Sequence, residues 1–225
     1  MPSNGLQVNK SQRDLMDKHL QLVVKANEKV NLTRIKNDEE GRLLHIDDSL
    51  SALPELMESP LGLYGDLGSG GGYPGIPLAI ASGRKTVLID ARMRKMEVME
   101  EIVDELGLSG QISVFKGRAE LLARKQPESF SVLTARALAK LSVLLELASP
   151  LLKNNGCLIC YKSHVEDEEF NEATRVASLV GMELTSDRSF ILGNDYERRI
   201  LVYQKKQKAK VKLPRVEGMA QKNPL

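Results

Sequence analysis

The residues with the clearest chemical potential run from Asp66 to Gly75, within GDLGSGGGYPGIP. The run follows a short apolar stretch and opens another with helical spacing. Glycines at such a joint let the backbone approach a ligand closely. In an open α/β sheet the carboxyl end of the first strand, at the topological switch point, is where nucleotides bind. Pro74 and Pro77 suit the first turn of a helix, where an amide donor is not needed. Two registers compete. Gly70, Gly72 and Gly75 spell G-x-G-x-x-G, a dinucleotide fingerprint. Asp66, Gly68, Gly70 and Gly72 spell D-x-G-x-G-x-G, the S-adenosylmethionine form. A carboxylate at the strand end would repel a pyrophosphate in a low-dielectric crevice. S-adenosylmethionine has no phosphate and carries an ammonium and a sulfonium, so Asp66 favours it. Asp90, 22 residues beyond Gly68, sits near the roughly 20-residue offset of an acid that binds ribose hydroxyls. It serves either ligand.

Further candidates lie where the next strands should end. Arg118-Ala119-Glu120 follows Gly117 and would stand beside an adenine, with backbone amides or Glu120 at its edge; an ordinary helix start, with Glu120 favoured by the helix dipole, explains it equally. Arg136 ends the expected fourth strand. It suits a donor carboxylate, an RNA phosphate or a salt bridge at the sheet rim. His45 and Asp48 lie three apart on an expected helix and can touch. Cys157 and Cys160 form C-x-x-C on an expected strand, where residues three apart face opposite ways, so they read as core. With three histidines, His19, His45 and His164, no metal site is expected.

The elements that must position these groups are legible from residue 63 onward. Strands are expected near 63–67, 86–90, 111–116, 130–135 and 157–162, with helices near 74–82, 92–106, 118–124 and 138–152. Gly83, Gly107, Gly117, Pro127 and Gly156 punctuate them. This alternation predicts βαβ units and a parallel sheet covered on both faces. A helix near 165–180 and two strand-like runs near 182–192 and 198–204, an antiparallel hairpin, complete the unit. Ahead of it, residues 11–30 and 38–57 show helical spacing. Three regions follow: an N-terminal helical extension (1–60), a ligand-binding domain (61–204) and a basic tail (205–225).

The 225 residues carry a net charge of +2, but unevenly. Residues 204–225 hold seven Lys/Arg against Glu217, hence +6, which leaves the other 203 residues at −4. An acidic body with a basic arm points to an anionic partner such as nucleic acid, or to a merely solvated tail. Two cysteines exclude a disulfide framework. No secretory h-region and no run of the ~20 apolar residues that span a bilayer is seen. A cytoplasmic protein without membrane partners is expected.

Taken in order, NLT (31–33), HIDDS (45–49), GDLGSGGGYPGIPLAIA (65–81), LIDARMRK (88–95), RAE (118–120), TARALA (134–139) and ERR (197–199) resemble the ribosomal small-subunit methyltransferase G family, also called glucose-inhibited division protein B. The likeness covers nearly the whole chain and includes the ending LPRVEGMAQKNPL. It implies a Rossmann-like class I methyltransferase fold, with a mostly parallel seven-stranded sheet, helices on both faces and the N-terminal helical extension. It also implies S-adenosylmethionine as donor and transfer of methyl to ring nitrogen 7 of one guanine in 16S rRNA, free or in the small subunit; oligomeric state stays open, with a monomer favoured. The resemblance places donor contacts at Gly68, Tyr73, Asp90, Ala91, Arg92, Ala119, Glu120 and Arg136, and the glycine motif adds Asp66 and Gly70. It places RNA or catalytic groups at Asn31, His45, Arg118, Arg136 and Arg198. The chain departs from the family pattern in reading Ala26-Asn27 where a Trp-Asn pair is usual, and at Asp47, Tyr73, Tyr161-Lys162-Ser163 and Ala220. Two alternatives stay open: a non-catalytic RNA-binding assembly factor, and a nicotinamide-dependent oxidoreductase.

Overall fold

The computed structural model describes residues 8–33 and 38–225; residues 1–7 and 34–37, part of the expected N-terminal extension, lie outside it. Its strands are β1 (Tyr64–Leu67), β2 (Thr86–Asp90), β3 (Ile112–Lys116), β4 (Phe130–Arg136), β5 (Leu152–Lys162), β6 (Met182–Leu192) and β7 (Tyr196–Lys205). They form one sheet in the order β3-β2-β1-β4-β5-β7-β6. The first five run parallel. The β7 strand lies antiparallel between β5 and β6. The expected seven-stranded, mostly parallel sheet is present. The chain winds outward from β1 to β3, then crosses back to β4. The strand order therefore reverses between β1 and β4, and their carboxyl ends open a crevice there.

Helices α5 (Gly75–Ser82), α6 (Met93–Glu105), α7 (Ala119–Lys125), α8 (Leu141–Ala148) and α9 (Asp167–Val180) connect the strands. Strands covered on both faces need apolar residues on both. Accordingly β1 is buried throughout and β4 is buried from Phe130 to Ala135. On one face, Ile76 and Ala79 of α5 and Met96 and Met99 of α6 pack around Leu88. On the other, Leu144 of α8 and Val176 of α9 pack with Leu133, Leu158 and Leu201. Cys160 belongs to that second cluster, while Cys157 packs with Tyr64 and Val132 on the opposite face. The alternation that made the two cysteines core residues holds. Burial pushes the Cys160 thiol up to about 12, so no reactive thiolate forms there.

The first helix, α1 (Lys10–Asn27), starts at a capping box in which Asn9 and Gln12 each accept the other's backbone N–H. Its Met16, Leu20 and Val23 join the α5–α6 cluster. The single helix expected over 38–57 is instead divided into α2 (Asp38–Gly41), a π-helical turn (Arg42–Asp47), α3 (Asp48–Leu50) and α4 (Leu53–Glu58). Leu43, Ile46 and Leu50 have the i, i+3, i+7 spacing of one helix face, yet the backbone widens to a π turn over Arg42–Asp47. The residue inserted by a π turn re-registers the stripe, so that Ile46 is fully buried while Arg42 faces solvent. Pro54 sits at the start of α4, where its missing N–H costs nothing.

Beyond β7 the chain turns back along α9, with the N–H of Lys210 donating to the carbonyl of Leu179. It ends in a short helix, α10 (Met219–Lys222). Ala220 is buried there against Val143 and Leu147 of α8.

Candidate active site

The loop after β1 is held from beneath and from the side by two carboxylates. Asp66 is fully buried. It accepts the N–H of Gly75 at 3.0 Å and the hydroxyl of Thr134 at 2.7 Å. One side chain thus ties β1, β4 and the start of α5 together. A Cβ on Gly75 would lie 2.5 Å from Leu88 and 2.8 Å from Asp66 Oδ2, so only glycine permits this contact. Burial pushes the Asp66 carboxyl up to about 7, against the lowering pull of Thr134, Gly75 and Arg136. Asp90, at the end of β2, is 5% exposed. Its Oδ2 accepts the N–H of Gly70 at 3.2 Å and its Oδ1 that of Arg92 at 2.9 Å. Gly70 has φ +54°, a conformation that costs glycine little.

A cleft of about 250 Å³ opens beside this loop. Gly68, Asp90, Ala91 and Arg92, at the ends of β1 and β2, line it together with Gly117, Arg118, Ala119 and Glu120, which follow β3. Leu67, Ile89, Leu138 and Leu147 make its lining largely apolar, and Gln221 of α10 also lines it. Each Asp90 oxygen retains acceptor capacity beyond its one backbone donor. An acid at the strand end above apolar walls fits a ribose and a base.

A second cleft, of about 390 Å³, adjoins the first along the segment after β4: Leu138 lines the first cleft, Ala137 and Ala139 the second. At its centre Asp48, 4% exposed, bridges two guanidinium groups. Its Oδ2 lies 2.6 Å from Arg136 Nη1 and its Oδ1 2.7 Å from Arg198 Nε. Arg136 also donates to the carbonyl of Leu44 at 3.0 Å. His45 faces the same cleft and bonds Thr33 Oγ1 through Nε2 at 2.6 Å. Its ring stacks on Tyr73, with centroids 4.4 Å apart. Tyr73 in turn meets buried His19 at 4.5 Å. Burial, then the Arg136 guanidinium, hold His45 down at about 4 against the opposing Asp48. The imidazole is neutral at pH 7.

The structure brings most of the sequence candidates into two groups. Gly68, Asp90, Ala91, Arg92, Ala119 and Glu120 line the first cleft, and Arg118 joins them there rather than the other RNA candidates. His45, Arg136 and Arg198 line the second. Gly70 acts through Asp90. Asp66 and Tyr73 do not reach the first cleft: Asp66 is internal, and Tyr73 is buried in the histidine stack. Asn31 is exposed and lines neither cleft. Glu120 accepts the N–H of Gly218 at 2.7 Å, a partner 98 residues away that local spacing cannot reveal. Sequence reasoning also missed the bridging role of Asp48, the internal acceptor Thr134 and the wall residue Gln221. Among the departures from the family pattern, Tyr161 donates its hydroxyl to the carbonyl of Ser49 at 2.6 Å. Lys162 pairs with Glu169 at 2.6 Å, and Asp47 makes a surface pair with Arg13.

The fold recurs in solved methyltransferases. An O-methyltransferase from Bacillus cereus, solved with SAH, superposes with a TM-score of 0.55 at 17% identity, over 90% of this chain and 94% of that one. A geranyl diphosphate methyltransferase, solved with SAM, gives a TM-score of 0.52 at 12% identity, over 72% and 85% of the two chains. At these identities the likeness is one of fold. Sequence relatives are much nearer. Ribosomal RNA small subunit methyltransferase G from Carboxydothermus hydrogenoformans is 37% identical over 225 residues, covering 98% of this chain and 95% of the relative. Its counterpart from Geobacillus kaustophilus is 36% identical over 214 residues, covering 93% and 89%. The family model described as rRNA small subunit methyltransferase G matches residues 12–199, a span holding both carboxylates of the glycine loop and the whole arginine–aspartate bridge, and so this chain belongs to the rRNA small subunit methyltransferase G family.

Proposed function

We propose that this protein transfers methyl from S-adenosylmethionine to ring nitrogen 7 of a guanine in 16S rRNA, acting in the cytoplasm as a monomer on the RNA or the small subunit. The observation that carries the reading is the pair of adjoining clefts at the sheet's switch point. One is walled by Asp90 and apolar residues, the other by Arg136, Arg198 and neutral His45.

Gly68, Asp90, Ala91, Arg92 and Ala119 would hold the donor, Asp90 by accepting from ribose hydroxyls and Ala119 by its backbone. S-adenosylmethionine supplies an electrophilic methyl group on a sulfonium. Nitrogen 7 of neutral guanine has a free lone pair, so no residue has to remove a proton before attack. The absence of a charged histidine or a reactive thiol in the clefts suits that chemistry. What the chain must supply is alignment, worth up to ~7–11 kcal/mol in favourable cases. Guanidinium donors fit guanine O6, next to nitrogen 7 on the same edge. An arginine directed at O6 holds the base without capping the attacking lone pair, and Arg136 or Arg198 can do this. Asp48 leaves the bridge with a net charge of +1 rather than +2, which eases the positive charge that develops on the base. The deep major groove of A-form RNA is too narrow for such an approach, so the target base must stand in a loop or be flipped out. Lys206, Lys208, Lys210 and Lys212 are exposed along the returning tail and supply phosphate contacts.

Calorimetric titration of S-adenosylhomocysteine into the wild type and Asp90→Ala tests the donor assignment. Binding by the wild type and its loss in the variant is expected. Tighter binding of NAD than of S-adenosylhomocysteine would refute it.

A further inference from the structure

The C-terminal residues do more in the structure than carry charge. Two acids on neighbouring helices are taken up by them. Glu120 of α7, 5% exposed, accepts the backbone N–H of Gly218. Glu146 of α8, 3% exposed, receives two hydrogen bonds from Arg215, at 2.7 and 2.6 Å. Arg124 donates to the Arg215 carbonyl at 2.8 Å, and Arg215 to that of Asn223 at 2.8 Å. Gly218 turns the chain with φ +76° beside the Arg118 side chain. Burial of Ala220 under Val143 and Leu147 then fixes the single turn of α10. The next residue, Gln221, lines the first cleft together with Asp90. Its carboxamide makes no hydrogen bond among the described residues.

From this geometry we infer that the segment from Leu213 to Leu225 is the outer wall of the donor cleft, and that Gln221 is a donor-binding residue reading the adenine edge. The inference rests on the assignment of the first cleft to the donor. A carboxamide presents one donor and one acceptor side by side, which matches the amino group at N6 and the acceptor N7 of adenine. Glu120 is then a positioning residue. It latches Gly218 and so sets where Gln221 falls, instead of meeting the base with that oxygen. Charge-assisted and buried, the two acid latches are stronger than a surface contact, and they hold the wall in place before any ligand arrives.

The test is titration of S-adenosylhomocysteine, and of its inosine analogue, into full-length wild type, Gln221→Ala, Glu120→Ala, Glu120→Gln and Asp90→Ala. Gln221 is exposed and buries nothing, so its replacement leaves the fold intact. Gln221→Ala should weaken S-adenosylhomocysteine about five- to tenfold, the value of one or two ordinary hydrogen bonds. It should also shrink the wild-type preference over the inosine analogue, which a merely structural wall would not do. Glu120→Ala should weaken binding similarly, and Glu120→Gln should restore it, because a carboxamide oxygen still accepts from Gly218. Wild-type affinity in Gln221→Ala, with binding lost in Asp90→Ala, would overturn the inference and leave the cleft assignment standing. Failure of the wild type to bind S-adenosylhomocysteine at all would overturn both.

Discussion

Replacing Asp66 by asparagine isolates the cost of keeping a carboxyl group buried beneath the glycine loop. In the folded protein this group is pushed up to about 7, by burial above all, from an ordinary value of 3.8. Between those values the native state holds a proton that the unfolded chain has released. Linkage then makes stability fall as pH rises, by up to about 1.4 kcal/mol per pH unit. The contribution is fully present below pH 3.8 and is lost as pH climbs through 7. About three units give roughly 4 kcal/mol as an upper figure. His45 and His19 work in the opposite direction. Burial holds them down at about 4 and about 3, below 6.5, so the native state binds fewer protons and stability rises with pH up to about 6.5. Subtracting wild type from Asp66→Asn cancels the histidines. Asparagine can keep the geometry: its carbonyl accepts from Gly75, and its amide donates to Thr134, whose hydroxyl can turn toward Tyr64, now 2.8 Å away. Urea unfolding of both proteins from pH 4 to 8 is the assay. The variant should be close to wild type at pH 4 and gain about 4 kcal/mol on it by pH 8. A difference that stays constant across that range would refute the assignment of a protonated, load-sharing Asp66.

Two further outcomes follow from the second cleft and the tail. Asp48→Asn removes the shared counter-ion of Arg136 and Arg198, which are 14% and 17% exposed. Breaking a buried pair costs about 3–5 kcal/mol, and the partial exposure of both arginines puts the expected loss in urea unfolding at the lower end; an unchanged unfolding midpoint would remove Asp48 from its bridging role. Replacing Lys206 and Lys208 together by alanine should lower the slope of log affinity for 16S rRNA against log salt by about two, if each contacts one phosphate. An equal slope would place the phosphate contacts elsewhere.

Much of the fold was legible because β1 to β4 are short and largely apolar, with breakers such as Gly83, Gly107, Gly117 and Pro127 between the elements. The offset that marked Asp90 as a candidate also put it at a strand end, and there it lines the first cleft. The region from 38 to 58 was not legible as drawn. Apolar residues at helical spacing with no Pro until Pro54 look like one helix, and the π turn that carries His45 lies where Ile46 packs into the core, which no local pattern encodes. Asp66 was read as an acid facing the donor and not as internal, because its partner Thr134 lies 68 residues away. The tail shows the same limit. Its lysines dominate the charge count and suggest a free arm, yet they cluster before residue 213. The signals for docking were Arg215, Gly218 and Ala220, and their partners, Glu146 for Arg215, Glu120 for Gly218, and Val143 and Leu147 for Ala220, lie on helices far back in the chain.

Methyl transfer itself is the most direct measurement. Labelled S-adenosylmethionine, the protein and unmodified 16S rRNA or small subunits are incubated, the RNA is digested, and the methylated nucleoside is identified and mapped. The expected product is 7-methylguanosine at a single position, lost in Asp90→Ala. Label on another base, or on no form of the RNA from a folded protein that binds S-adenosylhomocysteine, would contradict the assignment of this site to guanine nitrogen 7.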